Sequence, residues 1–232
     1  MNIQEIELWF DELCQGIGES CNIHIFAGAA LALEKLKPAT KDIDLMFESN
    51  EERSIFEKTL EARGYENTWK SHEASVLSGW TLKAGGETHL YYPGPDPFRL
   101  TPSMIKRSSL RFPYIYAKVF VLAPEDLLLL KTYPRNIESD EAKYMRPDDV
   151  RDIEALLTMK PDWAKIRKEI DAQVRAIVDD PNILDKRPML RVANRFHLAL
   201  SHLKHCIDQS IPDQVIVWAK RRLKTLEQLN ED

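Results

Sequence analysis

Asp42 and Asp44 stand one residue apart at the head of an apolar run that ends Leu45-Met46-Phe47. Alternation along a strand turns both carboxylates to one side and Ile43 to the other. Two adjacent carboxylates repel each other and do nothing for an apolar core. A hard divalent cation removes that repulsion, and Mg²⁺ is commonly held by one or two carboxylates together with substrate phosphates. Upstream, an apolar strand (23–27) runs into Gly28-Ala29 and an apolar helix (29–36), and backbone N–H groups at such a turn can seat an anion. Thr40 and Lys41 lie in the intervening loop, where a lysine can meet a triphosphate as a point charge. Metal carboxylates and an anion seat in one strand–helix–strand unit point to phosphoryl or nucleotidyl chemistry.

The elements that must position these residues follow from periodicity and capping. Ile3, Ile6, Trp9, Phe10, Leu13 and Ile17 recur at helical spacing, so an amphipathic helix opens the chain. Ser49 or Asn50 can cap a helix over 51–63, which Gly64 closes. Residues 74–92 read as a hairpin about Gly85-Gly86, and 93–97 as a rigid Pro-Gly loop. A short helix over 102–108 and a strand over 114–122 lead to Pro124-Glu125-Asp126, a helix start with acids in its first turn. The helix 127–132 is nearly all apolar. After a loop at 133–147 the pattern is helical throughout, over 148–158, 162–178, 188–208 and 212–229. The expected class is α/β (α+β): a mixed sheet with flanking helices over 1–132, then an all-helical region over 133–232.

With these residues in order, Gly28-Ala29, a helix and Thr40-Lys41-Asp42-Ile43-Asp44-Leu45 resemble the signature of the DNA polymerase beta-type nucleotidyltransferase superfamily. A second block resembles the prokaryotic minimal and AbiEii-type members: Ala123-Pro124-Glu125-Asp126-Leu127 through Lys131, then Arg146-Pro147-Asp148-Asp149-Val150-Arg151-Asp152. The resemblance implies a nucleotidyltransferase-like fold, Mg²⁺ or Mn²⁺ on Asp42 and Asp44, an NTP such as ATP as donor, and a nucleotidyl group passed to a hydroxyl. Gly28, Ala29, Thr40, Lys41 and Lys131 are then the expected nucleotide-binding residues. The acceptor is RNA, protein or a small molecule.

Two departures stand out. The family often has Ser after the glycine, where this chain has Ala29. Its third carboxylate falls on a later strand, and the matching stretch here is Thr88-His89-Leu90. Histidine is a poor Mg²⁺ ligand, but neutral imidazole can act as a general base. Glu87, on the same strand face, or Asp96 could restore the third acid. The alternative is a catalytically weakened nucleotidyltransferase-like module that binds a nucleotide or a toxin–antitoxin-type partner. A metal-dependent phosphohydrolase is a weaker third reading, because such enzymes place the acidic pair after the first apolar strand.

Composition narrows the field. The chain is 44% hydrophobic and 30% charged with 8 Gly, which fits an ordered globular protein. Its net charge of −5 argues against a general nucleic-acid coat. No apolar run approaches a membrane span, and Met1 to Gly16 lacks the basic region of a signal peptide. Cys14, Cys21 and Cys206 form no CxxC pair and read as free thiols of a cytoplasmic protein. Arg187, Arg191 and Arg195, with the cluster Lys220-Arg221-Arg222, read as solvated basic stripes or a seat for RNA or an acidic partner. Lys131 can also snorkel out of the core, and helically spaced Arg146, Asp149 and Asp152 can form local ion pairs. The tail helices could support a homodimer.

Overall fold

The computed structural model describes residues 1–69, 77–82, 87–95, 98–132 and 147–178. The chain divides into two compact units, Met1–Ala123 and Pro124–Asp232. The first is built on a seven-stranded mixed sheet. Its strands are β1 (Cys21–Phe26), β2 (Asp42–Phe47), β3 (Tyr65–Trp69), β4 (Leu77–Leu82), β5 (Glu87–Tyr91), β6 (Ser109–Pro113) and β7 (Ala117–Val121), in the order β3-β4-β5-β2-β1-β7-β6. β2 runs antiparallel to β1 and parallel to β5, while β1 runs parallel to β7. The first unit's helices are α1 (Ile3–Cys14), α2 (Ala27–Leu33), α3 (Asn50–Ala62) and α4 (Pro102–Arg107).

The central strands obey their alternation. Ile23, Ile25, Ile43, Leu45 and Phe47 are buried with Ile6, Phe10, Phe56 and Leu60 of α1 and α3, each such side chain contributing about 1.5–3 kcal/mol relative to exposure. Phe56 meets Phe47 at a ring separation of 5.6 Å and Trp9 at 6.0 Å. Cys14 and Cys21 are free and buried, and burial pushes the Cys14 thiol up to about 12.

Helix ends follow their capping residues. Asn2 and Ser49 each close a capping box, with Glu5 and Glu52 as the reciprocal partners. Glu52 reaches further than a cap needs. Its Oε1 accepts the Asn22 N–H at 3.0 Å and its Oε2 accepts those of Glu48 and Ser49 at 3.0 and 3.1 Å. The β1–β2 pairing begins only at Ile23↔Phe47, so Glu52 satisfies a strand donor just beyond the ladder. Gly64, at φ +83°, follows the α3 C-cap, as a left-handed terminating glycine should.

Two strands were not expected from sequence, β3 and β6, and they are the two edges of the sheet. β6 is exposed along nearly its whole length, so it carries no core-facing alternation to read. The expected strand 114–122 contracts to Ala117–Val121 because Tyr114 to Tyr116 form the turn from β6. The hairpin expected over 74–92 is present as antiparallel β4 and β5, paired from Leu77↔Tyr91 to Thr81↔Glu87. The first helix of the strand–helix–strand unit starts at Ala27, two residues earlier than expected.

In the second unit, α5 (Pro124–Thr132), α6 (Pro147–Thr158) and α7 (Trp163–Val178) bury Leu127, Leu128, Leu129, Ile153, Leu156, Ile166 and Ile170. The helix that carries Lys131, grouped with residues 1–132 on sequence grounds, packs here with α6 and α7. Glu125 Oε1 accepts the Asp162 N–H at 3.2 Å and pairs with Lys165 Nζ at 3.4 Å, tying α7's start to α5. The helices expected over 188–208 and 212–229, their basic residues and Cys206 lie outside the described residues. No helix among the described residues is long and apolar enough to cross a membrane.

Candidate metal centre

The parallel β2–β5 register sets Asp42 beside Glu87 and Asp44 beside His89, while Phe26 of β1 lies opposite Asp44 from the other side. One carboxylate oxygen from each aspartate and one His89 nitrogen all lie within 4.8 Å of one another. Two ligands held about 2.1 Å from one ion are about 3 Å apart when adjacent and about 4.2 Å when opposite. The Asp44–His89 pair already has the adjacent spacing, and with Asp42 within 4.8 Å of both, the three side chains could hold a divalent ion after local side-chain adjustment.

Asp44 is the buried member, 4% exposed. Its Oδ1 faces His89 Nδ1 at 3.0 Å and accepts from the Tyr91 hydroxyl at 3.5 Å. Its Oδ2 has no hydrogen-bond donor among the described residues. The other ring nitrogen of His89, Nε2, lies 3.2 Å from Glu87 Oε1. The imidazole is thus held between two carboxylates, one buried and one about half exposed. Asp44, then Glu87, raise the His89 pKa above its ordinary 6.5, against an opposing effect of burial. Glu87 approaches the site through His89, and Asp96 lies outside the described residues.

Asp42 is placed from the other side. Thr40 Oγ1 donates to the Asp42 carbonyl at 3.0 Å and lies 3.4 Å from its Oδ1. Thr40 is in turn fixed by its own N–H, which donates to the Met1 carbonyl at 2.8 Å. This accounts for Gly28. A Cβ built on Gly28 would stand 2.4 Å from Thr40 Oγ1 and 3.2 Å from Thr40 Cβ. The glycine is needed for close approach of the loop that carries Asp42, while its neighbour Ala27 supplies the tight turn at φ +53°. α2 begins at this turn without a side-chain cap, and Gly28 and Ala29 are buried within it.

The expected residues therefore divide. Asp42, Asp44, His89 and Glu87 come together. Thr40 braces Asp42, and Lys41 is exposed beside it. Lys131 is engaged within the second unit: its Nζ lies 3.1 Å from Asp149 Oδ1 and 2.8 Å from Asp152 Oδ2. Asp149 and Asp152 do form ion pairs, but with a lysine on another helix, and Arg146 lies outside the described residues. Tyr91 was not singled out as a site residue, although the period of two that selects His89 also selects it.

No family model matches the chain, and no curated protein matches it. Solved structures do resemble it. The lincosamide antibiotic adenylyltransferase LnuA, crystallised with lincomycin, is 16% identical with a TM-score of 0.42, over 68% of this chain and 95% of its own. A candidate nucleotidyltransferase from H. pylori is 12% identical with a TM-score of 0.41, over 98% and 96%. An antigenic nucleotidyltransferase-like protein from Paracoccidioides brasiliensis is 17% identical with a TM-score of 0.39, over 82% and 89%.

Proposed function

We propose that this chain is a divalent-metal-dependent nucleotidyltransferase that moves a nucleotidyl group from an NTP to a hydroxyl. The observation that carries the reading is the meeting of Asp42, Asp44 and His89 at one end of β2 and β5, beside the start of α2. Asp42 and Asp44 would hold the ion, which when bound offsets the charge of the triphosphate. Lys41 would meet the outer phosphates, together with the N–H groups of Gly28 and Ala29. The acceptor oxygen attacks the α-phosphorus and the bond to the bridging oxygen breaks. Pyrophosphate leaves with that electron pair. The hydroxyl proton passes to solvent water as the new bond forms.

The test is label transfer from each NTP, with Mg²⁺ or Mn²⁺, to tRNA, protein and small hydroxyl acceptors. Transfer that is lost in Asp42→Ala and Asp44→Ala supports the proposal. Transfer unchanged in both variants, or absent under every condition, refutes it. One observation favours a second reading, a nucleotidyltransferase-like module that binds without turnover: an imidazole occupies the position facing Asp44. Metal-dependent NTP affinity by calorimetry, with no product formed, would support that reading.

A further inference from the structure

We infer that His89 is itself a ligand of the ion, through Nδ1, and that the site prefers a first-row transition dication such as Mn²⁺ to Mg²⁺. The inference rests on reading Asp42 and Asp44 as a cation site. His89 Nδ1 and Asp44 Oδ1 are 3.0 Å apart, the separation of adjacent ligands each about 2.1 Å from a shared ion. The outer nitrogen then has the partner a metal-bound imidazole needs. A ligating histidine usually gives its second N–H to a carboxylate or carbonyl, which sets its tautomer and its angle. Glu87 Oε1, 3.2 Å from Nε2, supplies that partner.

Strand geometry enforces the arrangement. Glu87 and His89 share one face of β5, as Asp42 and Asp44 share one face of β2, and the parallel register aligns the two pairs. Both ring nitrogens face carboxylate oxygens. A dication at Nδ1 sets positive charge against Asp44 and leaves the Glu87 contact intact. Nitrogen in the donor set decides the selectivity. Mg²⁺ keeps to oxygen ligands, whereas imidazole suits transition ions, whose affinities rise from Mn²⁺ towards Cu²⁺. Glu87 is accordingly a positioning residue that acts through His89.

The experiment is equilibrium binding of Mn²⁺ and Mg²⁺ to the nucleotide-free full chain. Calorimetry gives the affinities, and electron spin echo spectroscopy of bound Mn²⁺ detects nitrogen coupling. The proteins are the wild type, His89→Asp, Glu87→Gln, and Asp42→Ala with Asp44→Ala. Wild type should show a directly bound ¹⁴N, and His89→Asp should lose it while the Mn²⁺-over-Mg²⁺ preference falls about tenfold or more. Glu87→Gln should weaken Mn²⁺ by about 10-fold or more while leaving Mg²⁺ nearly unchanged. An unchanged preference in His89→Asp, or Mn²⁺ bound without nitrogen coupling, overturns the inference and leaves the cation site standing. No binding of either ion to wild type, or binding that survives Asp42→Ala with Asp44→Ala, overturns the cation site itself.

Discussion

Replacing Gly28 by alanine tests how the loop before Asp42 is held. An unconstrained glycine inside a helix gains about 1 kcal/mol on conversion to alanine. Gly28 is not unconstrained. The new Cβ would lie 2.4 Å from Thr40 Oγ1, so that oxygen must move by about 0.6 Å to reach even a tight 3.0 Å contact. Thr40 has little room to yield. It is 7% exposed, its hydroxyl is bonded to Asp42 and its N–H to Met1. Overpacking of this kind costs about 1–3 kcal/mol, and losing the Thr40–Asp42 bond adds about 0.5–1.5 kcal/mol. Against the helical gain, Gly28→Ala should destabilise the first unit by about 1–3 kcal/mol.

The partner variant sharpens this expectation. Thr40→Ala removes the atom at 2.4 Å and leaves only the Cβ at 3.2 Å, a contact that a small shift relieves. Alone it should cost about 1 kcal/mol for the lost hydrogen bond. Combined with Gly28→Ala it should cost little more, giving a coupling of about 1–2 kcal/mol. Urea denaturation of the four proteins, followed by tryptophan fluorescence, measures the cycle. A Gly28→Ala protein as stable as wild type or more so would refute the steric reasoning. Strict additivity in the double variant would refute the assignment of Thr40 as the obstacle.

Three further outcomes are expected. Glu52→Ala removes an acceptor from three backbone N–H groups, so it should cost about 2–3 kcal/mol in a urea midpoint, well beyond an ordinary cap. Lys131→Met removes the ammonium shared by Asp149 and Asp152, and should lower the second unit's stability by about 2–4 kcal/mol; a stable variant with weakened NTP affinity would instead mark Lys131 as a phosphate ligand. His24 is fully buried, stacked at 5.1 Å on Phe120 and 3.0 Å from Glu48, and burial lowers its pKa below 6.5. Its neutral form therefore contributes stability that is complete above pH 6.5 and lost as pH falls towards the folded pKa. His24→Phe should flatten the stability–pH curve between pH 5 and 7 relative to wild type. His89, whose pKa is raised, acts with the opposite sign and is common to both proteins.

The central sheet was legible because burial on both faces imposes a pattern. Ile23, Ile25, Ile43 and Leu45 alternate with side chains that point the other way, and the acidic pair interrupts that alternation where a core cannot explain it. The edges were not legible. β3 and β6 each have one neighbouring strand, and β6 is exposed along most of its length, so neither required apolar residues at every second position. The meeting of His89 with Asp44 was legible only in part. The period of two correctly grouped Glu87, His89 and Tyr91 on one face, but the sequence alone does not set the register of β5 on β2. A shift of one residue would have turned Thr88 and Leu90 to the site instead.

The same register bears on what the site can do. Thr88, 1% exposed, donates its hydroxyl to the Ile43 carbonyl at 2.9 Å, on the face opposite the site. That bond joins β5 to β2 between the two facing pairs Asp42–Glu87 and Asp44–His89. Glu87 and His89 are therefore held as a unit, and Glu87 can replace His89 at Asp44 only by a two-residue slip that would also unpair Thr88. In this register His89, and not Glu87, is the β5 residue that stands beside Asp44. On the proposed reading, an imidazole with Glu87 behind it stands where a third acid would otherwise stand.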